Sequence, residues 1–78
     1  MKVVRTNLLL LLAAKQQREG RRISLAQAAR EAHIKEYTVY GFANSTLREY
    51  PAEAIAKLCT YFNCDIGDLL SFEDVPDA

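Results

Sequence analysis

The chain has 78 residues, and its ten basic side chains balance ten acidic ones. A chain of this length buries only about 60 to 65 per cent of its unfolded surface, which is enough for one core and excludes a multidomain machine. Half of the residues are apolar and no Gly/Ser/Pro-rich linker, internal repeat or low-complexity tract intervenes, so most of the chain is expected to fold as one unit.

In chain order, the first signal is Leu8 to Leu12 followed by Ala13 and Ala14, apolar on every side. The run is too short to span a bilayer, which takes about 20 apolar residues. Lys2 and Arg5 precede it as they would in a secretory signal, but no small-x-small cleavage site follows. It reads better as a first helix buried nearly all round, capped by Thr6 or Asn7. Lys15, Gln16, Gln17 and Arg18 form its wet end, and Gly20 its stop. β-favouring clusters are confined to Val3-Val4 and Tyr37 to Val39, too short or inside a helical pattern, so the expected class is all-α.

From Ile23 to Asn44 two short helical patterns are separated by three or four residues. Ser24 is a good N-cap, with Gln27 placed three residues on to complete a capping box. Leu25, Ala28, Ala29 and Ala32 then form a narrow stripe of mostly small side chains, which lets another helix approach closely. A second pattern starts near Lys35 and sets Val39 and Phe42 on one face, leaving Glu36, Tyr37, Thr38, Tyr40 and Gly41 mostly elsewhere. A short helix anchored on one face and free on the other is how a DNA-binding unit uses the major groove; the plain alternative is any small helical bundle.

Pro51 fits the first turn of a fourth helix, whose buried face is traced by Ala54, Ile55, Leu58, Cys59 and Phe62 and whose end falls at Asn63. Asp65 caps a short fifth helix, with Asp68 adding charge near its amino terminus and Ile66, Leu69 and Leu70 packing inward. These elements set one domain at residues 1–72. Residues 73–78 are then a short acidic tail, frayed unless a second subunit holds Phe72 and Val75. Cys59 and Cys64 lack the further ligands a zinc site requires and read as free thiols, so no metal and no cofactor is expected. There is no Ser/His/Asp or Cys/His grouping and no glycine-rich phosphate loop, so catalysis is not expected either.

These motifs resemble the phage-repressor-like (XRE) helix-turn-helix transcriptional regulators. The span Ile23, Ser24, Leu25, Ala29, His33, Ile34 and Lys35 carries the motif, and Thr38-Val39 and Phe42 continue it. Lys57 to Phe72, KLCTYFNCDIGDLLSF, is similar to the closing helices of a small single-domain subgroup of that family. The resemblance implies a five-helix bundle of the lambda-repressor-like type, with the helix-turn-helix in helices 2 and 3. It further implies a transcriptional regulator, in most such cases a repressor and a homodimer on a two-fold operator. This chain departs from the pattern at Leu25, where many members carry a contacting Gln, at His33 in place of the turn Gly, and at Lys35 in place of Ser. Glu36 brings a negative charge near phosphates, and Gly41 costs the helix about 1 kcal/mol relative to Ala.

Charge is unevenly spread. Up to Arg48 nine basic residues face three acidic ones, a net +6, and from Glu49 onward Lys57 faces seven acids, a net −6. A basic end carrying the motif and an acidic end opposite would orient the motif toward phosphates. Double-stranded DNA is the expected partner, with no membrane partner and no evident small-molecule ligand. The expected phosphate contacts are Arg21, Arg22 and Ser24 at the start of the first motif helix and Lys35 before the second. Asn44, Ser45, Thr46 and Arg48 join them in the loop that family members lay on the backbone. Base discrimination falls to Glu36, Tyr37, Thr38 and Tyr40. The expected location is cytoplasmic. A second reading is a protein-interaction module on the same fold, an antitoxin or anti-repressor partner, should Leu25 and the tyrosines form one exposed apolar patch.

Overall fold

The computed structural model of the protein describes residues 1–76. Along the chain come β1 (Lys2–Thr6), α1 (Leu8–Glu19), α2 (Leu25–Ala32), α3 (Glu36–Asn44), α4 (Ala52–Phe62), α5 (Ile66–Leu69) and β2 (Leu70–Asp74). The five helices fall where the sequence pattern places them, around a core whose largest fully buried side chains are Phe42, Leu8, Leu58, Leu69 and Val39.

The all-α expectation needs correction. β1 and β2 pair antiparallel, with Val4 opposite Phe72 and Lys2 opposite Asp74. Glu73 and Asp74 therefore lie in a strand, and Val75 is tied by backbone hydrogen bonds in both directions to Met1 (2.9 and 3.0 Å). The C-terminal segment is held by the amino terminus of its own chain, without a second subunit; Asp77 and Ala78 lie outside the described residues. An ion pair between Arg5 and Glu73 crosses the same sheet. It also qualifies the expected charge polarity, because two cations of the basic half sit beside acids of the acidic half.

The first helix is not buried all round. Leu8 and Leu12, four residues apart, face the core, whereas Leu9 and Leu10 are 54% and 72% exposed. A domain this small can offer each helix only one apolar wall. Asn7 precedes the helix without a side-chain cap; its Nδ2 instead donates to the Asp68 carbonyl (3.1 Å), tying the start of α1 to α5. Gly20 ends α1 at φ 66°.

Ser24 caps α2, its hydroxyl accepting from the Gln27 N–H (3.1 Å), but the return half of the capping box is missing because the Gln27 amide turns to Glu31 (2.9 Å). α5 does begin with such a return bond, from the Asp65 N–H to the Asp68 carboxylate (3.0 Å). In α5 only Leu69 is fully buried. Ile66, expected inward, is 58% exposed, and Leu70 is half-buried because the chain has already turned into β2.

α2, α3 and α4 each end on a non-glycine residue in left-handed conformation: His33 (φ 61°), Ser45 (φ 54°) and Asn63 (φ 54°). For His33 this position costs about 1 to 2 kcal/mol. His33→Gly is therefore expected to raise stability by about 0.5 to 1 kcal/mol, after the extra freedom of glycine in the unfolded chain is deducted, as read by urea denaturation. The carbonyl of residue 33 keeps its bond from Lys57 Nζ (3.0 Å) in that variant.

Candidate nucleic-acid interface

Residues 33–35 are all that joins α2 to α3, and the Ile34 N–H closes the turn on the Ala29 carbonyl (2.9 Å). Val39 and Phe42 anchor α3 in the core, and Phe42 packs edge-on against Tyr50 (centroids 5.0 Å apart). The opposite side of α3 is left free. Tyr37 is 68% and Tyr40 43% exposed, and Glu36 and Asn44 are exposed beside them at helical spacing. Asn44, assigned from sequence to a backbone contact, thus continues the outward stripe of Tyr37 and Tyr40. Thr38 sits apart: it is half-buried and lines a groove with Ile34, Pro51 and Ala54.

Gly41 faces inward. A Cβ there would lie 2.5 Å from the side chain of Leu47, so the missing side chain serves close packing of α3 on the following loop rather than approach to DNA.

The expected phosphate-contacting residues separate into free and committed groups. Arg22, Lys35 and Arg48 are exposed and make no ion pair among the described residues; Lys35 Nζ lies 5.8 Å from the Tyr37 ring centroid. Asn44 and Thr46 are exposed, and Ser45 accepts a bond from the Thr6 N–H (3.2 Å) through its hydroxyl oxygen. Ser24 is exposed at the amino terminus of α2, where the N–H groups of Leu25 and Ala26 have no partner among the described residues.

Arg21 is the exception. Its guanidinium forks onto Glu31 through two bonds of 3.0 Å and reaches Glu19 at 2.8 Å. Glu31 also accepts from the Tyr61 hydroxyl (2.6 Å), while Lys15 bonds Glu19 (2.8 Å) and lies over the Tyr61 ring (4.4 Å). Lys15, Glu19, Arg21, Glu31 and Tyr61 thereby join α1, α2 and α4, and the arginine is a strut of the fold. Sequence spacing exposes only the Lys15–Glu19 pair at i, i+4; the Arg21–Glu31 and Tyr61–Glu31 contacts join positions farther apart than any local pattern reaches. Equally invisible is Arg30, 4.0 Å from Glu36, which offsets the negative charge at the start of α3.

The fork from Arg21, helped by the bonds from Tyr61 and Gln27, holds the Glu31 carboxyl down at about 2 against an ordinary 4.5. A carboxylate depressed in the folded state adds stability above its ordinary range and loses it as pH falls through the depressed value. The melting temperature is therefore expected to drop between pH 4.5 and 2, and the drop to be shallower in Glu31→Gln over that window. Glu19, lowered by Lys15 and then Arg21, contributes in the same direction and remains in the variant.

Cys59 and Cys64 are free and half-buried, and burial first, then the neighbouring Cys59, pushes the Cys64 thiol up to about 11. Such a thiol is neither a ready nucleophile nor a ready metal ligand. Among the described residues no helix is long and apolar enough to cross a membrane.

A capped helix, a three-residue turn and a second helix anchored by Val39 and Phe42 with its other side open define the helix-turn-helix class of DNA-binding proteins. The family model of the Cro/C1-type HTH DNA-binding domain matches residues 15–75, and the chain belongs to that family. No curated protein and no solved structure matches the chain.

Proposed function

We propose that the protein is a sequence-specific transcriptional regulator, acting as a repressor, that inserts α3 into the major groove of a two-fold operator as a homodimer in the cytoplasm. The observation that carries this reading is the outward stripe of Glu36, Tyr37, Tyr40 and Asn44 on a helix fixed from behind by Val39 and Phe42. In this reading the tyrosine hydroxyls donate to base acceptors, Glu36 accepts from a cytosine amino group, and Thr38 reaches the groove only at its edge. Arg22, Lys35 and Arg48, with Ser45, Thr46 and Asn44 at the end of α3, grip phosphates on either side. The open N–H groups at Ser24 bind one further phosphate through the positive end of α2. Arg21 contributes by fixing the start of α2, not by touching DNA.

Repression follows from occupancy of a promoter and needs no further domain. The protein-interaction alternative requires Leu25 to join the tyrosines in one exposed patch. Leu25 is instead half-buried and packs against the core. Selection from a pool of randomised duplexes tests the proposal. A recovered inverted repeat with half-sites about one helical turn apart supports it, and recovery of unenriched sequence refutes base reading.

A further inference from the structure

Gln16, which its spacing assigns to the wet end of α1, is half-buried and turned toward the segment that leads into α2. Its backbone carbonyl accepts from the N–H groups of Gly20 (2.8 Å) and Arg21 (3.3 Å), and its side-chain Oε1 accepts from the N–H of Ile23 (2.8 Å). One residue of α1 thus holds the connection between the two helices at Gly20, Arg21 and Ile23. The buried side chain of Ile23 and the cap at Ser24 complete the hold from the far end.

Arg22 is the residue this arrangement singles out. Arg21 before it is forked onto Glu31 and Ile23 after it lies in the core, whereas the guanidinium of Arg22 is exposed and unpaired among the described residues. A free cation therefore stands on a backbone that is fixed on both sides. Gly20, in left-handed conformation, is the soft point of the same segment, and the bond from Ile23 to Gln16 is what spans it. Any fold must give a part-buried N–H a partner. Here the partner is a long side chain brought from α1 to the residue directly after an unpaired arginine.

We propose that Gln16 is a positioning residue for DNA binding: by holding the Ile23 N–H it presets the backbone at Arg22, so that the guanidinium meets a phosphate without the segment first having to be ordered. The inference rests on the phosphate contact of Arg22 in the proposed function. Ordering a backbone residue at the moment of binding lowers affinity, and order already present in the free protein avoids that loss.

The expected signature differs from that of a phosphate contact. Arg22→Ala removes a cation and flattens the slope of log K against log salt by about 1. Gln16→Met keeps the length of the side chain and replaces the amide acceptor by a weak one. The contact at Arg22 still forms in that variant, so the slope is expected to stay as in wild type while affinity for a mixed-sequence duplex falls about tenfold. In an Arg22→Ala background Gln16→Met has nothing left to position, and is expected to change affinity by less than about twofold. A residue that only supports the fold would act alike in both backgrounds.

A second readout uses no DNA. Nitrogen-15 relaxation is expected to find the Arg22 amide of the wild-type protein as rigid as a helix, with an order parameter of about 0.85, and to find it near 0.6 in Gln16→Met. Gln16→Glu, whose carboxylate still accepts from the Ile23 N–H, is expected to restore the rigid value. Equal losses of affinity with and without Arg22 overturn the proposal, as does an Arg22 amide that is already mobile in wild type. Should Gln16→Met not fold, Gln16→Ala, the stronger helix former, takes its place in both measurements. Wild-type protein that binds no duplex at the lowest salt removes the phosphate reading and this inference with it; wild type that binds no better than Gln16→Met removes this inference alone.

Discussion

Alanine at both Arg22 and Arg48 is expected to weaken binding to a mixed-sequence duplex by about a hundredfold near physiological salt. Each guanidinium is exposed and without an ion pair among the described residues. A charge-assisted hydrogen bond of about 1.5 kcal/mol per phosphate contact corresponds to roughly tenfold in affinity. The slope of log K against log salt should flatten by about 2, one unit for each released counterion. Arg21→Ala is the informative comparison. Its guanidinium is held by Glu31 and Glu19, so its loss is expected to lower the melting temperature while leaving the salt slope unchanged below that temperature. Anisotropy titrations and thermal melts on the two variants check both statements, and equal salt slopes for wild type and the double variant would remove Arg22 and Arg48 from the interface.

Phe42→Ala is expected to cost about 3 to 5 kcal/mol, the range for truncating a buried aromatic ring and leaving a cavity. Phe42 is fully buried at the centre of the domain, stacked edge-on with Tyr50. Its carbonyl accepts from the Thr6 hydroxyl, so the same residue also couples α3 to β1. Small domains hold only about 0.05 to 0.15 kcal/mol per residue, and a loss of this size leaves a large fraction unfolded at growth temperature. Two residues earlier on the same helix, Tyr40→Ala removes a partly exposed side chain and is expected to change stability by less than about 0.5 kcal/mol. Urea denaturation of the pair separates the buried face from the outward one; similar losses for both would mean that Tyr40 is part of the core.

How far the sequence discloses this fold depends on the range of each interaction. Local devices are legible: the Ser24 cap, the Gly20 stop, the anchors Val39 and Phe42, and the apolar stripe of Ala54, Leu58 and Phe62 stand where their spacing puts them. Pairing between chain ends is not. Val3-Val4 is too short to announce a strand, and its partner Phe72 lies at the other end of the chain, so the sheet follows from a contact that has no local signature. Leu9, Leu10 and Ile66 show the opposite error: apolar residues read as core stay exposed because a domain this size has too little interior to cover them.

The site follows the same division. Exposure of Tyr37 and Tyr40 and burial beneath them follow from helical periodicity, whereas the capture of Arg21 by Glu31 depends on how the segment between α1 and α2 lies along α2. Charge counted along the chain names the cations. It does not reveal which of them a neighbouring helix has already claimed.

The most direct measurement is the affinity of the intact protein for duplex DNA across a series of salt concentrations, by fluorescence anisotropy. A DNA-binding regulator built on this interface gives saturable binding at low salt that weakens linearly, on logarithmic axes, as salt rises. Absence of binding even at the lowest salt would contradict it, and would leave the open face of α3 without a nucleic-acid role.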